Sequence, residues 1–338
     1  MLKPFIKSAI ERINLSVDDA ETAMGVVMRG DATPAQIAAW LVALRQKGET
    51  PAEITGFARA MRAAMVTIPT VPEGAIDTCG TGGDGLSTFN ISTAAALITA
   101  SAGVPVAKHG NRAVSSNCGS ADVLHALGFE IDPGVEVVTS ALNEIRFAFL
   151  FAPRFHPAMK HAVGPRREIG VRTVFNILGP LCNPAGVKRQ IVGVYDPAGI
   201  TRIAEVLGAL GSERVIVVSG PGGADELLPT GENLVAEWND GSLSNYSLGP
   251  SDFGLPEIRL ADLKGTDADG NAEVIRGIAR GDRGPMTETA LLNAGAAIWV
   301  AGRAETLREG IAAARAAVAD GRLHALLESA ARASRSRT

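Results

Sequence analysis

Apolar and polar positions in the first 65 or so residues recur at helical spacing. Phe5, Ile6, Ala9, Ile10 and Ile13 fall on one face of a helix, and residues 18–28 form a second apolar helix. Two further helix starts carry capping signals. Thr33-Pro34-Ala35-Gln36 and Thr50-Pro51-Ala52-Glu53 each put Thr at the cap, Pro at the first helical position and Gln or Glu at the third. Proline there loses no hydrogen bond, because that N–H has no intrahelical partner. Gly48 stands where the helix ahead of Thr50 should end. Residues 66–72 hold Pro69 and Pro72 and read as a connector.

From Ala75 the pattern changes. Short β-prone runs, at 104–108, 145–151, 190–195 and 214–219, alternate with Ala-rich helical runs at 91–102, 121–128, 201–210, 288–300 and 305–320. Such alternation predicts an α/β domain with a mainly parallel central sheet, whose ligands bind at the carboxyl ends of the strands. The expected organisation is a small all-helical domain over 1–70 and a larger α/β domain over 71–338. The polar, basic tail 330–338 is expected to fray, and Asp267-Ala268-Asp269-Gly270 reads as a loop.

Composition narrows the partners. Hydrophobic residues make up 46% and charged residues 20%, as in an ordinary globular protein. A net charge of -4 gives no general attraction to nucleic acid or anionic lipid, so an anionic ligand needs a local site. The three cysteines, Cys79, Cys118 and Cys182, form no CxxC pair, which argues against a disulfide framework or zinc site and suits a reducing compartment. Lys3, Lys7, Glu11 and Arg12 interrupt any signal-peptide core, and the longest apolar run, 93–107, is broken by Gly103 and Pro105. The expected location is the cytoplasm.

Four motifs carry chemistry. Asp77-Thr78-Cys79-Gly80-Thr81-Gly82-Gly83-Asp84-Gly85 is a glycine-rich loop after a short β-like run, and a helix should start near Asn90-Ile91-Ser92-Thr93. Bare backbone N–H groups and a helix N-terminus favour phosphate. The spacing is neither a Walker A loop nor a dinucleotide fingerprint, so by itself it reads equally as a structural turn. Lys108-His109-Gly110-Asn111-Arg112-Ala113-Val114-Ser115-Ser116 crowds cations, hydroxyls and an amide into nine residues, which suits a loop closing over a diphosphate. Arg166-Arg167-Glu168 offers a guanidinium for a carboxylate, against the alternative of a surface ion pair. Asp225-Glu226, behind a β-like run and a Gly-Pro-Gly-Gly turn, offers hard oxygen ligands for Mg²⁺, or is an exposed acidic turn.

These segments, in this order, resemble the anthranilate phosphoribosyltransferase family. The similarity is carried by DTCGTGGDG (77–85), NIST (90–93), KHGNRAVSS (108–116), GSADVL (119–124), FHPA (155–158), RREIGVRTVFNILGPL (166–181) and DEL (225–227), and it spans nearly the whole chain. The resemblance implies a nucleoside phosphorylase/phosphoribosyltransferase-like fold, its helical domain completed by helices near 155–180. It further implies a homodimer through that domain, with helices 5–13 and 18–28 as interface candidates, and two Mg²⁺ ions per subunit. The implied reaction moves a 5-phosphoribosyl group from phosphoribosyl diphosphate to the amino group of anthranilate, the second step of tryptophan biosynthesis.

By position, the resemblance puts Gly80, Gly83 and Asp84 at the junction of the two substrates. It puts Thr88, Asn90, Ile91, Ser92, Thr93, the 108–116 segment and Ser120 on phosphoribosyl diphosphate. Gly80, Asn111 and Arg166 fall on anthranilate, and Ser92, Asp225 and Glu226 on the metal. Met159 and Cys182 depart from residues common in relatives, tyrosine and threonine. No acid–base dyad stands out. Orientation and charge therefore carry the expected catalysis, since an arylamine is already neutral near pH 7. The alternatives are a nucleoside phosphorylase of related fold, which the full 108–116 segment and Arg166 disfavour, and a nucleic-acid-binding relative, which the net charge of -4 disfavours.

Overall fold

The computed structural model describes residues 1–112 and 118–333. Four helices open the chain: α1 (Lys3–Ile10), α2 (Val17–Met28), α3 (Pro34–Lys47) and α4 (Pro51–Ala63). Both sequence capping boxes form. Thr33 Oγ1 accepts the Gln36 N–H and Thr50 Oγ1 accepts that of Glu53, while the Gln and Glu side chains return to the cap N–H groups. The chain turns out of α3 at Gly48. Helix α1 is shorter than its apolar stripe: it stops at Ile10, Arg12 turns with φ 57°, and Ile10 and Ile13 lie on the surface. The apolar residues Ala20, Ala23, Met24, Val26, Val27 and Met28 of α2 are buried within the chain and contribute to its core.

Among the described residues seven strands follow: β1 (Ile76–Gly80), β2 (Val106–Gly110), β3 (Phe147–Phe151), β4 (Arg189–Gly193), β5 (Arg214–Ser219), β6 (Asn233–Asn239) and β7 (Ser242–Leu248). They form one sheet in the order β3-β2-β1-β4-β5-β6-β7. The first five run parallel and β6 and β7 are antiparallel additions. The β6–β7 hairpin escaped the sequence reading, although its Asp240-Gly241 turn, at φ 44° and 90°, is a strong hairpin signal. Residues 267–270 are also not a loop. Asp267 accepts the Gly270 N–H at 2.9 Å and caps the helix Ala268–Arg280. Ala330, assigned to the frayed tail, is buried in the helix Arg322–Ala333, while 334–338 lie outside the described residues.

Alternation along the strands divides the core. Ile191, Ile216 and Val218 face a layer built from α5 (Ile91–Ser101) and the helices Pro285–Val300 and Leu307–Ala319. Val192, Val194, Val215 and Val217 face the opposite way and share a cluster with Trp40, Leu41, Ile54 and Phe57 of α3 and α4. The helix Ile200–Ala209 lies between the sheet and these helices, packed on β5 and β6 on one side and on α4 on the other. The helix Lys160–Ile169 packs on α2 and α3. Among the described residues no helix is long and apolar enough to cross a membrane.

The parallel order 3-2-1-4-5 reverses direction between β1 and β4. That reversal opens a crevice at the carboxyl ends of these two strands, where open α/β sheets bind ligands.

Candidate active site

The glycine-rich loop, the first turn of α5, Lys108 and the Asp225-Glu226 pair meet at that crevice. Strand β1 includes Asp77 to Gly80, which the sequence placed in the glycine-rich loop. Ladder pairing with β4, which runs from Ile76 to Gly80, extends the strand to its glycine. The loop itself is therefore Thr81 to Gly85. Gly80 lies opposite Gly193 of β4. A Cβ at Gly193 would run into the backbone of Asp225, and one at Gly80 into its carboxylate. The paired glycines let the segment after β5 cross directly over the strand ends.

That crossing delivers two carboxylates. Asp225 Oδ2 accepts the Gly82 N–H at 2.7 Å, and Glu226 Oε1 accepts the Ser92 N–H at 3.0 Å. Burial raises both pKa values, and repulsion reinforces it: Asp84 acts on Asp225, and Asp225 on Glu226. Buried carboxylates held close to one another are what a divalent cation neutralises. Ser92, Asp225 and Glu226 converge, so the donor set fits Mg²⁺. No group of three or more His, Cys, Asp and Glu arranged to hold a metal occurs among the described residues.

Lys108 and His109 were expected in a closing loop and instead lie in β2, 2% and 7% exposed. The apolar run before them continues straight into the parallel ladder with β3. Lys108 Nζ donates to Thr78 O at 2.5 Å and Ser92 Oγ at 3.2 Å, beneath the glycine loop. Burial lowers its pKa, opposed by Asp77 and other nearby acids. Asp77 is fully buried and accepts from His109 N at 3.1 Å and Asn183 Nδ2 at 2.8 Å. His109 Nδ1 lies 3.1 Å from Gly179 O, and its ring is 5.1 Å from that of His156. Burial holds both imidazoles neutral, at about 3 for His109 and about 4 for His156.

Asn90 stands at the N-cap position of α5 without a side-chain capping bond and donates to Cys118 O at 3.4 Å, while its Oδ1 and the Thr93 hydroxyl are buried without a partner among the described residues. Ile91, Ser92 and Thr93 form the first turn of α5. Thr88 pairs with Lys264 in an isolated bridge. Gly110 ends β2. The exposed Asn111 accepts Ser120 Oγ at 3.3 Å on its carbonyl, and Arg112 pairs with Asp122 at 3.2 Å. Ser120 opens α6 (Ser120–Ala126). Ala113, Val114, Ser115 and Ser116 lie outside the described residues.

Arg166 lies in the helix Lys160–Ile169 with its guanidinium 5.2 Å from the Phe175 ring. Burial lowers its pKa with no acid opposing the shift. Among the described residues it has no carboxylate partner, so the surface ion pair weighed for this triplet does not form. The structure does not bond it to the glycine loop. Arg172, which the sequence reading passed over, does reach that loop.

The residues that converge here lie in segments shared with known proteins. A profile described as "Glycosyl transferase family, a/b domain" matches residues 73–324, and one described as "Glycosyl transferase family, helical bundle domain" matches 3–65. An anthranilate phosphoribosyltransferase from Moorella thermoacetica is 51% identical over 328 residues, covering 97% of both chains. The chain belongs to the anthranilate phosphoribosyltransferase family. The crystal structure of the Thermus thermophilus anthranilate phosphoribosyltransferase superposes with a TM-score of 0.93 at 44% identity, covering 98% of this chain and 99% of that one. The Saccharomyces cerevisiae enzyme in complex with PRPP and Mg gives 0.89 at 28% identity, covering 98% and 97%. The helical-plus-α/β architecture read from the sequence is the architecture of this family. Cys182, a departure noted in the sequence, is fully buried beside Ala58 in the core shared by helices and sheet, its thiol pushed up to about 12 by burial.

Proposed function

We propose that this chain transfers the 5-phosphoribosyl group of phosphoribosyl diphosphate to the amino group of anthranilate, releasing diphosphate, in the second step of tryptophan biosynthesis. One observation carries the reading most: Asp225 and Glu226 seat on the glycine-loop and α5 N–H groups, at 2.7 and 3.0 Å, in the crevice between β1 and β4. Family membership supports the same activity.

Ser92, Asp225 and Glu226 would hold Mg²⁺, two ions per subunit, which supplies positive charge to the leaving diphosphate. Gly80, Gly83 and Asp84 border both substrates. Thr88, residues 90–93, residues 108–116 and Ser120 bind phosphoribosyl diphosphate, with Lys108 adding positive charge from beneath the loop. Asn111 and Arg166 hold anthranilate. The desolvated guanidinium of Arg166, without a carboxylate of its own, is suited to take one from a ligand. No side chain is assigned as acid or base.

Residues 1–70 act as the helical domain, completed by helices within 155–180, an organisation favoured by the packing of Lys160–Ile169 on α2 and α3. The exposed Ile10, Ile13 and Val42 favour a homodimer through this domain. The cytoplasm is the proposed location.

The direct test follows anthranilate fluorescence with and without phosphoribosyl diphosphate and Mg²⁺. Loss of signal should require both additions. Phosphorolysis of thymidine or uridine, with anthranilate untouched, would sink the reading.

A further inference from the structure

We propose that Arg172 is a positioning residue that fixes the glycine loop for phosphoribosyl diphosphate and ties that loop to the chain segment carrying Arg166. The proposal rests on the functional reading above and adds to it a residue of the 166–181 segment to which the sequence reading gives no role.

The loop supplies little of its own shape. Gly82, Gly83 and Gly85 all sit at left-handed φ, 69°, 76° and 76°. Glycine explores such conformations freely, so a loop of this composition takes its geometry from what touches it. Two side chains from outside do so. Asp225 holds the Gly82 N–H at 2.7 Å. On the next residue, Arg172 Nη2 donates to the carbonyl of Gly83. The loop is held at one shoulder by a carboxylate from beyond β5 and at the other by a guanidinium from beyond the helix Lys160–Ile169.

The guanidinium is itself placed. Its central carbon lies 4.1 Å from the centroid of the Tyr195 ring, just past the end of β4. A planar cation held over an aromatic face keeps its N–H groups in its own plane, free to donate at its edge, and loses much of its rotational freedom. A Cβ on Gly83 would overlap this guanidinium, so the glycine also makes room for the clamp. Arg172 therefore fills the space between Tyr195 and Gly83.

Its place in the chain gives the contact a consequence. The helix bearing Arg166 ends at Gly170, in the left-handed conformation, and Arg172 follows two residues later. Thr173 then anchors the segment, its N–H donating to Asn176 Oδ1 at 2.9 Å. A shift of the Arg166 helix is transmitted to the Gly83 carbonyl through this short connection. The acceptor side of the site and the donor loop are thus mechanically joined by one side chain.

The test measures binding of phosphoribosyl diphosphate with Mg²⁺ by calorimetry, beside steady-state kinetics and thermal unfolding, for wild type, R172A, R172K, Y195L and R172A/Y195L. Loss of one charge-assisted hydrogen bond predicts that R172A weakens phosphoribosyl diphosphate binding by about tenfold or more. KM for that substrate should rise more than KM for anthranilate. R172K should fall between wild type and R172A, because lysine keeps a donor but cannot stack as a plane. Y195L should weaken binding in the same direction, and the double variant should be no worse than R172A. Wild-type protein that binds no phosphoribosyl diphosphate overturns the functional reading itself. Wild-type protein that binds, with R172A binding equally well, overturns only this proposal. So does a fall in unfolding temperature without a change in affinity, an R172K variant indistinguishable from wild type, or strictly additive losses in the double variant. If R172A fails to fold, R172K and Y195L decide the matter by the same affinities.

Discussion

The carboxylate of Glu226 accepts the backbone N–H of Ser92 at 3.0 Å, across 134 positions of sequence. A buried acid is thereby fixed at the N-terminal end of α5, beside the loop that Asp225 holds through Gly82. The helix end favours negative charge, yet burial and Asp225 both push the Glu226 pKa up. A site in this condition gains from a cation.

Changing Asp225 and Glu226 together to alanine should therefore remove turnover, by about 100-fold or more, as expected when charge stabilisation of a leaving group is lost. Diphosphate with Mg²⁺ should raise the unfolding temperature of wild type and leave that of the double variant unmoved. Near-normal turnover at ordinary Mg²⁺ would remove the metal assignment.

Arg166→Ala should raise KM for anthranilate by about tenfold or more, the cost of losing a charge-assisted contact. KM for phosphoribosyl diphosphate should move much less. Because Arg166 has no carboxylate partner of its own, the variant should unfold within a few degrees of wild type. Steady-state kinetics with each substrate varied in turn separates these outcomes, and unchanged anthranilate kinetics would rule out the clamp.

Stability in the helical region depends on an ion pair. Lys47 Nζ lies 2.7 Å from Glu53 Oε2, with side chains 3% and 0% exposed. Glu53 also accepts the N–H groups of Leu15 and Thr50, so it joins the α1–α2 connection to the start of α4. Glu53→Ala leaves the buried Lys47 without its counter-charge, holding only Asn14 Oδ1 and the Gly48 carbonyl, and should cost about 3–5 kcal/mol in urea unfolding. Glu53→Gln, which keeps an acceptor, should cost less. Equal losses for the two would show that the charge is irrelevant.

The two buried histidines predict a pH dependence. Their ordinary value of 6.5 falls to about 4 for His156 and about 3 for His109, so below 6.5 the unfolded chain takes up protons that the folded chain refuses. Stability rises with pH wherever the unfolded state binds more protons. The contribution is complete above pH 6.5 and is lost progressively toward pH 4 and below. His156→Asn should flatten the difference in unfolding free energy between pH 7.5 and pH 5. An unchanged slope would show that His156 is protonated in the folded protein.

Local signals were read correctly where the chemistry is local. The boxes at Thr33 and Thr50 formed because cap, proline and return acceptor lie within four residues. The parallel sheet followed from alternation of short apolar runs with helical ones. Glycine-rich composition was a poorer guide to where β1 ends, since Asp77 to Gly80 are strand because β4 supplies their ladder partners. Lys108 ends a β-prone run and opens the 108–116 motif, and only the tertiary pairing decides for the strand. A lysine next to His, Gly, Asn and Arg reads as exposed loop until Thr78 and Ser92 are there to receive its buried ammonium.

Arg172 marks the limit of the sequence most sharply. Nothing in its neighbours distinguishes it from Arg166 or Arg167, and its partners, Gly83 and Tyr195, stand 89 residues before it and 23 after it. The sequence by itself determined the helical start, the α/β body and the residue types available for phosphate, carboxylate and metal, because these depend on periodicity and short motifs. Only the tertiary structure decided which of them meet. The order of the strands, set by long-range pairing, places β1 beside β4 and brings Asp225 over their paired glycines, and no local pattern encodes that neighbourhood.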